Sequence, residues 1–212
     1  MSLVGKKFPN ITVDAINSVG EYLRINVLEE ATNNNKKVLL FWYPKDFTFV
    51  CPTELHAFQS ALTEFNNRNT MVIGASCDSN EVHFAWLNTP KNQGGIEGVT
   101  YPLIADTTRN LSATLDILDA EVGEYNEDAD TYLVEGSNVT FRATYLVDET
   151  GKVFHESVND MPLGRNVAEY LRLIDAYTHV QKVGEVCPAN WEKGKEAMNA
   201  DRKSTAEYLA AL

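Results

Sequence analysis

Two hydrophobic periods alternate along the chain. Lys37-Val-Leu-Leu-Phe-Trp-Tyr43 is an unbroken apolar, aromatic and β-branched run closed by Pro44, and it predicts a strand buried on both faces. From Pro52 to Arg68 the apolar residues Leu55, Phe58, Leu62 and Phe65 recur at helical spacing, with Pro52 suited to a first turn where its missing N–H is not needed. Short runs at Met71–Ala75, Tyr101–Ala105 and Ala143–Val147 read as further strands, and Asn80–Asn88 as a short helix. Asp148-Glu-Thr-Gly151 is a turn leading into a strand over Lys152–Ser157. Val167, Tyr170, Leu171, Ile174 and Tyr177 line one face of a helix over Val167–Val180. Strand, helix, strand, helix, then a hairpin and a last helix describe an α/β fold around a central mixed sheet flanked by helices. Two segments fall outside this pattern. Asp119–Gly136 is acidic and reads as a solvated surface insertion, and the polar tail beyond Val186 has too little apolar surface for a core of its own. The tail is therefore expected to pack on a partner subunit, and the expected division is a main domain over 1–180 and a C-terminal extension over 181–212.

Composition narrows the function classes. With 44% hydrophobic and 23% charged residues in 212, the chain can bury a full core without metal or disulfide staples. Its net charge of -12 repels phosphate backbones and anionic head groups, which argues against nucleic-acid and membrane partners. No apolar stretch has the length of a membrane span, and no secretory signal pattern stands at the N-terminus, so a cytoplasmic protein is expected. Three cysteines (51, 77 and 187) without a C-x-x-C pair, together with four scattered histidines, fit neither a disulfide framework nor a structural zinc site. The thiols are left as inert or catalytic.

The chemistry concentrates in Phe41-Trp-Tyr-Pro-Lys-Asp-Phe-Thr-Phe-Val-Cys-Pro-Thr-Glu54. A buried strand ends, a loop follows, and a helix begins near Pro52, which sets Cys51 at a helix N-terminus. Unpaired backbone N–H groups and the helix dipole favour a thiolate there over the protonated thiol. The Thr48 hydroxyl lies on the same loop, and Glu54 is placed to cap the loop or to position a cation. On pattern alone, an inert buried cysteine at a strand–helix junction stands as the alternative. Arg142, at the start of a strand, reads by itself as a surface charge, and Cys187 in the tail is as well read as incidental as functional. Cys77 reads as a small core residue, and His83 as helix packing near an interface between subunits.

Pro44-x-x-x-Thr48-x-x-Cys51 resembles the P-x-x-x-T-x-x-C signature of the peroxiredoxins. The similarity runs through Gly5-Lys-Lys-Phe-Pro9, Phe84-Ala-Trp86, Tyr101-Pro-Leu-Ile-Ala-Asp106, Phe141-Arg-Ala-Thr144, Gly164-Arg165 and Val186-Cys-Pro-Ala189, and so covers nearly the whole chain. The nearest group is the typical two-cysteine peroxiredoxins, which include the peroxidase component of bacterial alkyl hydroperoxide reductase. The resemblance implies a thioredoxin-like fold and a thiol peroxidase acting on hydrogen peroxide and alkyl hydroperoxides. Cys51 corresponds to the peroxidatic cysteine, Thr48 to the hydroxyl that hydrogen-bonds the peroxide, and Pro44 to the residue that shields the pocket. Arg142 matches the arginine that stabilises the thiolate and the charge developing on peroxide oxygen, with Glu54 and Arg165 as its supporting network. Cys187 matches the resolving cysteine, which forms a disulfide with Cys51 of the other subunit of a homodimer. Further implications are a ring of five dimers and recycling by a thioredoxin or a dedicated flavoprotein disulfide reductase. Family members that overoxidise readily carry Gly-Gly-Leu-Gly and a terminal Tyr-Phe pair. Here Gly94-Gly-Ile-Glu97 and Tyr208-Leu209 keep half of each, which implies intermediate to high resistance to sulfinic acid formation.

Three other readings separate by cheap observations. A holdase working through large rings would suppress aggregation after Cys51→Ser. A thioredoxin-like oxidoreductase would reduce disulfides without peroxide, against the missing C-x-x-C. A one-cysteine peroxidase would turn over with thioredoxin after Cys187→Ser.

Overall fold

The central strand is built from the longest apolar run. In the computed structural model, which describes residues 2–211, β3 (Lys37–Trp42) is buried along its whole length. Successive side chains point to opposite faces of a strand. Val38, Leu40 and Trp42 accordingly join the main apolar cluster with Ile73, Ile104 and Tyr145. Phe41 points to the opposite face, where it stacks on Phe58 at 4.1 Å and meets Tyr101 edge-on at 5.8 Å. A Cβ on Gly74 would sit 2.8 Å from Leu103 and 3.2 Å from Phe41, so close packing on this face requires glycine there.

Residues 2–165 form one compact unit. Its seven-stranded sheet has the order β2-β1-β5-β4-β3-β8-β9. The strands are β1 (Thr12–Ile16), β2 (Tyr22–Asn26), β3, β4 (Thr70–Ser76), β5 (Leu103–Ala105), β8 (Arg142–Val147) and β9 (Val153–Asn159). Strands β3, β4 and β5 run parallel, and the β1–β2, β1–β5, β3–β8 and β8–β9 pairs are antiparallel, so the sheet is mixed as the pattern predicted. Helices α1 (Val27–Asn34), α3 (Leu62–Asn67) and α4 (Asn80–Leu87) pack along β2–β3, β4 and β1–β5, and α5 (Asn110–Thr114) is a short connector. The β8–β9 hairpin turns at Asp148–Gly151, where Gly151 has φ 83° and Asp148 accepts from the Thr150 and Lys152 amides.

Three features depart from expectation. The helix over Pro52–Arg68 is two helices, α2 (Cys51–Ser60) and α3, broken at Ala61. The N-terminal β1–β2–α1 unit was not predicted, because its strands alternate polar with apolar residues over only five positions each. The insertion over 119–136 is an antiparallel hairpin of β6 (Glu121–Asn126) and β7 (Thr131–Glu135), separate from the main sheet. It is as exposed as predicted and has no lysine or arginine, yet Val122, Tyr125, Tyr132 and Val134 share one of its faces.

Residues 166–211 belong to a second unit, so α6 (Val167–Val183) groups with the C-terminal segment. Here the tail has more core than its composition suggested. Trp191 is buried, its ring 5.1 Å from His179 and its indole N–H donating to the Lys195 carbonyl. An isolated bridge joins Val186 to Met198, and α7 (Arg202–Ala210) carries no buried residue. Among the described residues, no helix is long and apolar enough to cross a membrane.

The Phe41–Phe58 stack makes a measurable difference to stability. Phe58→Ala is expected to lower the unfolding free energy by about 3–5 kcal/mol, whereas Val19→Ala, at a residue 71% exposed, changes it by about 0.5 kcal/mol or less. Urea titrations followed by tryptophan fluorescence decide this, and equal losses in the two variants would contradict the packing described.

Candidate active site

The same face of β3 that carries Phe41 positions the chemistry. Phe41 lies opposite Thr144 in the β3–β8 register, so Thr144 and Arg142, two residues apart, emerge on that face with α2. The Tyr101 hydroxyl donates to the Leu55 carbonyl at 2.8 Å and ties α2 to the strand layer. Cys51 is the first residue of α2 and is 1% exposed. No side chain caps this helix, so the positive end of its dipole faces the sulfur.

Around Cys51 stands a buried ionic cluster. Arg142 donates from Nη1 to Cys51 Sγ at 3.4 Å and to Glu54 Oε2 at 2.6 Å, while its Nε donates to the Met161 carbonyl at 2.6 Å. Glu54 Oε1 accepts the Arg165 backbone amide at 3.0 Å and lies 2.9 Å from Arg165 Nη1. Arg165 also donates to Thr144 Oγ1 at 2.8 Å, to the Ala143 carbonyl at 2.9 Å and to the Trp42 carbonyl, with its guanidinium 5.6 Å from the Phe41 ring centre. All three charged side chains are at most 4% exposed. One carboxylate thus faces two guanidiniums, and the surplus positive charge lies next to a sulfur at a helix N-terminus.

The other predicted residues fall as follows. Pro44 is buried where β3 ends. Thr48, half-buried on the loop to α2, donates its hydroxyl proton to the Lys45 carbonyl at 2.8 Å, leaving its oxygen free to accept. Cys187 belongs to the second unit, half-buried, with Sγ 3.7 Å from the Ala176 carbonyl. Burial pushes its thiol up, and Arg172 opposes that shift. Cys77 departs from the core reading. It is half-buried against a recess of about 300 Å³ that Pro44, Lys45 and Arg109 also line. Burial raises its pKa, which favours the protonated, unreactive thiol. All three cysteines are free thiols. Sequence reasoning missed the Met161 carbonyl and Thr144 as supports of the two arginines. Thr144 lies within the Phe141–Thr144 string that carries part of the resemblance, whereas a backbone carbonyl leaves no signal in sequence.

The chain matches the AhpC/TSA family over residues 4–156 and the C-terminal domain of 1-Cys peroxiredoxin over residues 176–211. It belongs to the AhpC/TSA family. It is 42% identical to alkyl hydroperoxide reductase C of Helicobacter pylori, over 98% of this chain and 96% of that protein. Alkyl hydroperoxide reductase C of Buchnera aphidicola subsp. Baizongia pistaciae is 38% identical over 100% and 98%. The reduced crystal structure of Plasmodium vivax 2-Cys peroxiredoxin superposes with a TM-score of 0.87 at 38% identity, covering 99% of this chain and 100% of that one. The fold is therefore thioredoxin-like, as the motif resemblance implied, and this AhpC/TSA-family protein is a thiol-dependent peroxidase.

The cluster gives Glu54 an outsized weight. Glu54→Gln leaves two buried guanidiniums without their shared carboxylate, and the expected loss of unfolding free energy is about 3–5 kcal/mol. Chemical denaturation against wild type measures it, and a variant as stable as wild type would show that the carboxylate does not bear the charge of both arginines.

Proposed function

We propose that Cys51 is the peroxide-reducing thiolate and that Pro44, Thr48 and Arg142 form the pocket in which it reacts. The observation that carries this reading is the Arg142 guanidinium bridging Cys51 Sγ at 3.4 Å and Glu54 at 2.6 Å inside a buried site. The sulfur attacks the terminal oxygen of R–O–O–H, the S–O bond forms as the O–O bond breaks, and the sulfur gives up two electrons. Alkoxide or hydroxide leaves, takes a proton and departs as alcohol or water, and Cys51 becomes a sulfenic acid. Negative charge spreads onto the peroxide oxygens as this happens. A preorganised guanidinium beside them stabilises that charge in a site closed to water. Thr48, its own proton held by Lys45, accepts the hydrogen of the incoming peroxide. Glu54 and Arg165 fix the Arg142 position.

Cys187 completes the cycle in this reading. Its thiol attacks the Cys51 sulfur of the other subunit of a homodimer, an S–S bond forms, and water leaves. Cys51, buried in the first turn of α2, must first leave the helix, because sulfurs bridge only when their Cα atoms approach within about 7 Å. The requirement makes local unwinding of that turn part of turnover. A dithiol of lower potential, a thioredoxin or a flavoprotein disulfide reductase, then reopens the bond. Both steps suit the reducing cytoplasm, where free thiols persist. Five such dimers closing into a ring is the assembly proposed. Electrons pass through sulfur alone, so the cycle calls for no bound cofactor.

Non-reducing gel mobility tests the pairing. After one equivalent of hydrogen peroxide, wild type is expected to run as a covalent dimer, and both Cys51→Ser and Cys187→Ser as monomers. A wild type that consumes peroxide yet stays monomeric on the gel rules out an intersubunit pair.

A further inference from the structure

The β6–β7 hairpin takes no part in the peroxidase cycle. Among the described residues, no third strand pairs with either of its edges. A two-stranded hairpin is marginal in water by itself, and a further strand or the covering of one face makes it stable. Val122 pairs with Val134 and Tyr125 with Tyr132, and the extra residue of β6 between these pairs puts all four side chains on one face. The two tyrosine rings meet edge-on at 5.3 Å, and the four residues are 47–76% exposed. At the neck, the Asp119 N–H donates to the Val139 carbonyl and the Asn138 N–H to the Asp119 carbonyl, each at 2.9 Å. The Thr140 hydroxyl donates to the Tyr43 carbonyl at 3.1 Å and ties the neck to the end of β3. The apolar face is thus held out on a fixed stem.

Its charge is one-sided. Residues 119–136 hold seven of the chain's 30 acidic residues and none of its 18 basic ones, which is −7 of the net −12. Glu121 lies directly opposite Glu135 in the strand register. Like charges in that position destabilise a strand pair, and a cation set beside both carboxylates reverses the effect. Neighbouring residues point to opposite faces, so this acidic pair lies on the face away from Val122 and Val134. Strand β7 alternates without interruption: Thr131, Leu133 and Glu135 share one face, Tyr132 and Val134 the other, with no glycine or proline. Strand β6 carries the bulge and Gly123. The free edge of β7 is therefore the better template for another strand.

We infer that the outer edge of β7 docks an extended segment of a partner protein in which apolar residues alternate with lysine or arginine. Such a segment adds to the hairpin as a third strand through main-chain hydrogen bonds. Its apolar side chains extend the face made by Val122, Tyr125, Tyr132 and Val134, and its cations fall on the face of Glu121 and Glu135. The same period of two that sorts β7 into an apolar and an acidic face thus dictates the sequence pattern of its occupant. A second copy of the hairpin fits poorly, because pairing it would bring seven carboxylates against seven. Nucleic acid and anionic lipid are repelled by the same charge. None of these residues belongs to the Cys51 pocket, so the inference stands independently of that assignment.

The test titrates the full-length protein into a short fluorescent peptide that alternates lysine with valine, followed by anisotropy. The control peptide has the same residues reordered into a lysine block and a valine block. Wild type is expected to bind the alternating peptide, less tightly as salt rises, and the reordered peptide on the order of tenfold more weakly, the loss of about two cross-strand pairs. Hydrogen exchange over residues 131–135 is expected to slow when the alternating peptide is added. Two double variants separate the faces. Tyr132→Thr with Val134→Thr keeps strand propensity but removes apolar surface. Glu121→Gln with Glu135→Gln removes the repulsion between the strands, so it firms the hairpin while weakening its hold on a cation. Each is expected to bind the alternating peptide on the order of tenfold more weakly than wild type. A wild-type Kd weaker than about 1 mM, equal affinity for the two peptides, or either variant binding as tightly as wild type overturns the docking edge. An oligomeric state that shifts in the hairpin variants, measured by sedimentation velocity without peptide, makes a second copy the occupant and overturns it as well.

Discussion

One buried carboxylate facing two buried guanidiniums sets the terms for the rest of the molecule. Glu54, Arg142 and Arg165 come from a helix, a strand and the segment after the last strand, and none could be buried alone without a penalty of several kcal/mol. They are tolerable together because the carboxylate, the Met161, Ala143 and Trp42 carbonyls and Thr144 accept most of their hydrogen bonds. The cluster therefore requires α2 to lie on the Phe41 face, β8 to pair with β3 in its observed register, and the chain after β9 to fold back over the site. It also leaves one guanidinium in contact with Cys51 Sγ. Structural and chemical demands thus fall on the same three side chains.

The loop between β3 and α2 is held chiefly at its two ends. Its start is anchored by Asp46 and by the Phe47 ring against Trp86, and its end by the Cys51–Arg142 contact. Between these points Thr48 bonds to the Lys45 carbonyl, and Phe49 is 93% exposed. A segment held at its ends by a few polar contacts opens at far lower cost than the strands beneath it.

Much of this is legible in the residues. The β3 run, the α4 and α6 helices and the β8–β9 hairpin follow from hydrophobic period and turn chemistry, and Pro44-x-x-x-Thr48-x-x-Cys51 marks the loop in which the proposed site lies. Arg142 is recoverable only through family resemblance, since a lone arginine beginning a strand looks like a surface charge until its neighbours are known. His83 reads in the sequence as helix packing, and it is indeed buried in the packing of α4. Its bond to Asp46 spans the distance between α4 and the β3–α2 loop, a long-range pairing for which local sequence carries no signal. The break at Ala61 is hidden because the apolar residues keep helical spacing on both sides of it.

The mechanism stands or falls on where the first oxygen goes. Cys187→Ser treated with one equivalent of hydrogen peroxide in the presence of a sulfenic-acid-trapping dione, then digested for peptide mass spectrometry, gives that directly. The adduct is expected on the peptide containing Cys51, at near one per chain, with Cys77 unmodified. An adduct on Cys77, or peroxide consumed with Cys51 still a free thiol, would contradict the mechanism at its first step.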